Sequence, residues 1–107
     1  MFNEMQSAGS GGGAVNPTIL KNLYQKTAIN ESITIDTNKT YLVTADYVRD
    51  SETYTTWMVQ NGSLSVLQHA GYDSFSTVGR LELSGTTLTY SRDSASYNIH
   101  MVMYQLD

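Results

Sequence analysis

Residues 54–66 read Tyr54-Thr55-Thr56-Trp57-Met58-Val59-Gln60-Asn61-Gly62-Ser63-Leu64-Ser65-Val66. At its centre, Asn61-Gly62 supplies the two residue types that best tolerate the positive φ angles of a type I′ turn, the tight connection of a β-hairpin. Before the turn, Trp57 and Val59 fall on one face of an extended chain, and Tyr54 and Met58 on the other. After it, Leu64 and Val66 alternate with Ser63 and Ser65. The stretch is therefore predicted to fold back on itself as two antiparallel strands.

The same period of two extends in both directions. Upstream, Tyr41, Val43, Ala45 and Tyr47 alternate with Leu42, Thr44, Asp46 and Val48, which predicts a long strand over Tyr41–Arg49 closed by a turn at Asp50-Ser51-Glu52. Ile33 and Ile35 alternate with Ser32, Thr34 and Asp36, and Asp36-Thr37-Asn38-Lys39 has turn chemistry. Thr18–Asn22 fits one turn of helix or the start of a strand. Downstream, His69–Ser76 reads as a loop carrying Tyr72, Asp73 and Phe75. Leu81 and Leu83 lead through Ser84-Gly85-Thr86 to Leu88 and Tyr90, a second hairpin, and Ser91–Ser96 reads as a polar loop. The last strand, Tyr97–Leu106, is apolar on both faces: Ile99, Met101 and Met103 on one, Val102, Tyr104 and Leu106 on the other. Such a strand is either central between two layers or covered by another subunit. About eight strands with turn signals every 8–12 residues or so predict an all-β antiparallel sandwich, jelly-roll-like in strand number.

The chain's 107 residues suit one domain. Charged residues are only 15% of the chain, and the six cations, Lys21, Lys26, Lys39, Arg49, Arg80 and Arg92, are scattered in a chain of net charge −4. Nothing there forms a basic stripe, so nucleic acid and anionic membranes are poor partners. Cysteine is absent, which removes disulfides and thiolate metal sites. No apolar run reaches the length of a membrane span. The N-terminus lacks the basic and apolar regions of a Sec signal.

Composition divides the chain into residues 1–14 and a β domain over residues 15–107. Ser7-Ala8-Gly9-Ser10-Gly11-Gly12-Gly13-Ala14 has too little side chain to pack and reads as a flexible linker. Phe2 and Met5 precede it. The segment reads as a disordered tail or as a tethered docking peptide, with Phe2 and Met5 as the anchor residues.

Residues able to carry chemistry are sparse. His69 and His100 are the only histidines, and neither has the partners that general acid–base work needs. The serines lie in turns outside any Gly-x-Ser-x-Gly elbow. Asp36, Asp46, Asp50, Glu52, Asp73 and Asp93 sit mostly at turns without the spacing of a calcium loop, and turn capping is their expected use. Asp73 and Asp93 are the pair that a glycoside hydrolase reading would have to use. No catalytic residue, cofactor or metal is expected. The Asn-x-Ser/Thr sequons at Asn30, Asn38 and Asn61 read as chance in so polar a sequence. Aromatics are the richer class, with eight tyrosines and one tryptophan. Most belong to strands and hence to core or interface. Tyr72 and Phe75, with Trp57, are the candidate ligand contacts, and stacking on a sugar is one use for them.

The opening Met1-Phe2-Asn3-Glu4-Met5-Gln6-Ser7-Ala8-Gly9-Ser10-Gly11-Gly12-Gly13 resembles the start of small accessory virion proteins of tailed bacteriophages and prophages. The ending, Leu83-Ser84-Gly85-Thr86-Thr87-Leu88-Thr89-Tyr90 with Met103-Tyr104-Gln105-Leu106, is similar to the last hairpin and strand of such proteins. The resemblance covers the two ends of the chain and brings no residue-level functional motif. It implies a non-enzymatic structural or host-attachment role on a phage particle, a symmetric oligomer, contact with other virion proteins through the N-terminal segment, and a host surface glycan as a candidate ligand. Combined with the two-sided final strand, it leads to an expected homotrimer with Met101, Met103 and Tyr104 at the subunit interface. The rival expectation is a carbohydrate-binding module using the loop aromatics.

Overall fold

A computed structural model of the chain describes residues 17–48, 50–70, 78–94 and 98–107. It holds eight strands: β1 (Thr18–Gln25), β2 (Ile29–Thr34), β3 (Tyr41–Tyr47), β4 (Asp50–Gln60), β5 (Ser63–Ala70), β6 (Arg80–Ser84), β7 (Thr87–Arg92) and β8 (Ile99–Gln105). All pairings are antiparallel. A five-stranded sheet runs β1-β8-β3-β4-β5, and a three-stranded sheet runs β2-β7-β6. The outer pairings, β1 with β8 and β2 with β7, nest as in a jelly roll. Inside them the pattern differs, because β4 and β5 extend the sheet of β3 rather than crossing to the other one.

The hairpin at Asn61-Gly62 forms as its residues dictate, with φ of 54° and 71°. It sets the register Gln60↔Ser63, Val59↔Leu64 and Trp57↔Val66. Thr18–Asn22, open to two readings in sequence, is part of strand β1. Three local expectations shift. The turn predicted at Asp50–Glu52 lies earlier, because Tyr47 already pairs with Asp50. His69 is not in a loop: it continues β5 and pairs with Thr55. Arg92 is likewise no loop residue, since it ends β7 opposite Ile29.

Register decides which side chains meet between the sheets. On β8, Ile99, Met101 and Met103 stand beside Tyr47, Ala45 and Val43 of β3, and Trp57 and Val59 of β4 continue that face. Opposite them the small sheet contributes Ile29, Ile33, Leu81, Leu88 and Tyr90. Trp57 meets Tyr90 across the gap edge-on, with ring centroids 6.2 Å apart and planes at 74°, a geometry that ring quadrupoles favour. At one margin Lys21 of β1 joins Glu31 of β2 through a 2.9 Å ion pair.

One end of the sandwich is closed by short turns. Asp36 Oδ1 accepts from the Asn38 amide at 2.8 Å, so this aspartate caps its turn. Leu106 N donates to Thr40 O, and Thr40 N to Asp107 Oδ1, each at 2.8 Å. The opposite end, where β1 and β7 finish at Gln25 and Arg92 and β4 begins at Asp50, carries connections of two to nine residues, the longest being that between β5 and β6.

Candidate functional site

The expected subunit-interface methionines point inward. Met101 is fully buried and Met103 is 1% exposed, both within this single chain. They are core, and the apolar character that suggested an interface comes from the space between the two sheets. Tyr104 sits on the opposite face of β8, beside Leu42 of β3, and is half-buried. Trp57, expected as a ligand contact, is 3% exposed and packs on Tyr90. Only its margin reaches a small cavity of about 240 Å³, bordered by Val66, Arg80 and Leu81. Tyr72 and Phe75, and the anchor residues Phe2 and Met5, lie outside the described residues.

The outer face of the five-stranded sheet follows from the same registers. Tyr24, His100, Asp46 and Tyr54 form one row across β1, β8, β3 and β4, and Asn22, Val102, Thr44 and Thr56 the next. His100 Nε2 lies 2.8 Å from Asn22 Oδ1, and its ring tilts against Tyr24 with centroids 5.7 Å apart. Gln68 Nε2 donates to the Tyr54 hydroxyl at 2.8 Å. Ile19 and Tyr24 are each more than half exposed. His100 is thus a surface strand residue held by a neighbouring amide. The other histidine faces inward, with His69 Nδ1 2.5 Å from the hydroxyl of buried Thr55.

A larger polar concavity lies on the small sheet, at the end away from the short turns. Its volume is about 600 Å³, within the range of small-ligand sites. Two cations, Arg80 and Arg92, and two carboxylates, Glu82 and Asp93, border it. Asn30, Thr89 and Ser91 supply neutral hydrogen-bonding groups. The register explains the grouping: Arg80 pairs with Ser91, which pairs with Asn30, and Glu82 pairs with Thr89 in the next row. Side chains two apart along a strand share a face, so these polar groups collect on the outside of the sheet while Leu81, Tyr90 and Leu88 go inward.

Arg92 is the exception among them. By register it shares the inward side with Ile29, and it is only 7% exposed. Its Nε and Nη1 atoms are buried with no hydrogen-bonding partner. A guanidinium stays charged at any physiological pH, and a buried charge without a partner is costly. Close by, burial pushes the Tyr90 hydroxyl well above its ordinary pKa, while the positive charge of Arg92 pulls it the other way. That hydroxyl donates to the carbonyl of Val78.

Sequence reading missed this site because its members come from β2, β6 and β7 and share no motif. The one signal was Arg92 itself, a cation continuing the alternation Leu88, Tyr90. Compared with protein-family models, curated proteins and solved structures, the chain finds no match in any of the three.

Proposed function

We propose that the protein is a non-enzymatic structural and adhesion protein of a phage particle, fixed by residues 1–14 and displaying the β-sandwich outward. One observation carries the reading beyond the resemblance of the chain's ends. The chain enters the sandwich at Thr18, which pairs with Gln105, at the end where Tyr41 and Gln60 also lie. The polar concavity belongs to the other end. Strands of seven residues separate the two by roughly 23 Å. A tether at one end and a receptive surface at the other suit display.

Purified particles from a lysate of the source organism, probed with antibody to the sandwich, test it. The protein should co-sediment with particles, and a form lacking residues 1–14 should stay in the soluble fraction while remaining folded. Absence of the full-length protein from particles, or unchanged incorporation of the shortened one, would sink the reading.

In the proposed homotrimer, Met101 and Met103 stay inside each subunit, and the contact would pass to Ile19, Tyr24 and Tyr104 on the outer face. Light scattering after gel filtration checks that assembly directly.

A second reading, a carbohydrate-binding module, is favoured by the concavity rather than by Trp57, which is committed to the core. Here the polar surface of the small sheet would replace the loop aromatics as the contact.

A further inference from the structure

At the free edge of the small sheet we infer a two-fold contact between copies of this chain, in which β6 pairs antiparallel with β6 of a second copy about an axis at Leu81. The inference concerns the folded chain in solution and stands apart from the virion reading. It uses a different edge from Ile19, Tyr24 and Tyr104.

The first support is a comparison of edges. The two sheets end in four strands: β1 and β5, β2 and β6. An edge strand offers a row of unpaired backbone groups to another chain unless something blunts it. β1 follows Pro17 and carries an extra residue, Leu20, between the pairs of Ile19 and Lys21. β5 carries one too: Leu67 stands between Val66 and Gln68, which pair with adjacent Trp57 and Thr56. Such bulges bend a strand and interrupt its ladder. β2 is tied at its margin to the larger sheet by the ion pair of Glu31 with Lys21. β6 keeps unbroken register from Arg80 to Ser84.

The second support is the charge pattern, which names the occupant. Arg80 and Glu82 are exposed on the outer face, and Leu81 between them is buried. A two-fold axis at Leu81 sets Arg80 of each copy directly across from Glu82 of the other, and Leu81 beside Leu81. Opposite charges facing each other across strands are favourable, and like charges are not. Arg-Leu-Glu is thus its own complement, as a two-fold contact requires. In a chain of net charge −4, copies repel at long range, so charge has to be matched where they meet. Among the described residues the one ion pair is Lys21–Glu31, so both side chains reach this edge uncommitted.

The third support is apolar surface. On the inner side of the same edge, a notch of about 240 Å³ is bordered by Trp57, Val66, Arg80 and Leu81. Val66 is 49% exposed, and Leu67 next to it is 54% exposed. A second Leu81 beside the first covers the notch. The contact then has an apolar centre and a charged rim, the usual anatomy of a protein interface.

The test is light scattering of the full-length protein across about 1 μM to 1 mM, the range of weak association. Particle mass should double as concentration rises. Glu82→Arg sets arginine against arginine at both symmetric positions, and Arg80→Glu sets carboxylate against carboxylate. Each should weaken the doubling at least about tenfold, with an unchanged melting temperature because both positions are exposed. Mixing the two single variants in equal amounts restores opposite charges at both positions, and the doubling should return. Unchanged mass at every concentration would leave the edge to another partner and overturn the inference. So would folded single variants that associate as strongly as the unaltered protein, or a mixture that fails to recover.

Discussion

The two ends of this sandwich solve the same problem in opposite ways. At the end holding Asp36, Thr40, Asn61 and Leu106, the chain reverses in short turns and its polar groups are consumed locally: the Asp36 carboxylate by the Asn38 amide, the Thr40 amide by Asp107. At the end holding Arg92, Arg80 and Val78, connections of two, three, six and nine residues meet, and two guanidinium nitrogens of Arg92 are buried without acceptors. The first end is closed for stability. The second leaves two guanidinium nitrogens of Arg92 unsatisfied, so the two ends differ in how fully their polar groups are paired.

The largest effect should come from Gly79. Its φ is +113°, a region that other residues rarely enter. A Cβ placed there would overlap the ring of Tyr90, which has no exposed surface. Neither the backbone nor the ring can yield, since Tyr90 is wedged against Trp57. Gly79→Ala should therefore cost about 4 kcal/mol, from overpacking together with backbone strain, or prevent folding. Urea unfolding measures this. A loss under about 1 kcal/mol, no more than an ordinary surface change, would mean that the open end is soft and that the contrast between the ends is wrong.

Arg92→Met should move stability in the other direction. Removing an unpaired buried charge while keeping most of the side-chain volume should raise stability by about 1 to 2 kcal/mol in the absence of ligand. A destabilised but folded variant would show that Arg92 already has its counter-charge within the chain.

Much of the fold was legible because turns and alternation are local. Asn61-Gly62 named its turn, and Tyr41, Val43 and Ala45 named the inner face of β3. The final strand illustrates the limit. Its two apolar faces admitted either a layer between sheets or a subunit contact. Only the position of β8, between β1 and β3 and under the small sheet, assigns Met101 and Met103 to the core. The candidate site was not legible at all. Arg80 reaches Ser91 through the local β6–β7 hairpin, but Asn30 and Ser91 are 61 residues apart in sequence, and pairing at that range leaves no mark on local sequence. In sequence Arg92 reads as a loop residue because it is polar and followed by Asp93-Ser94. A strand end bearing a buried charge looks the same as a loop start until its partner strand is known.

Tyr90 ties the open end to pH. Burial raises its hydroxyl pKa above the ordinary value, so the folded state keeps a proton that the unfolded chain releases near pH 10. The sign follows from that: stability from this group is fully present below about pH 10 and declines as pH rises beyond it, by up to about 1.4 kcal/mol per pH unit. Tyr90→Phe should remove that decline while costing about 1 to 2 kcal/mol at neutral pH, because the Val78 carbonyl loses its donor. Unfolding at several pH values between 7 and 11 or so compares the two slopes. Parallel slopes would mean that other tyrosines carry the alkaline sensitivity.

The smallest effect belongs to the closed end. Gly62 has φ +71°, and a Cβ there would stand 3.2 Å from Cγ2 of Thr37, in the neighbouring Asp36–Lys39 turn. Gly62→Ala should cost about 1 to 2 kcal/mol from the left-handed backbone, with a little more from the crowding. The crowding part is separable. In a Thr37→Ala background the methyl in the way is gone, so the cost of Gly62→Ala should fall to the backbone component alone. The difference, a coupling of about 0.5 kcal/mol, measures how far the two turns support each other.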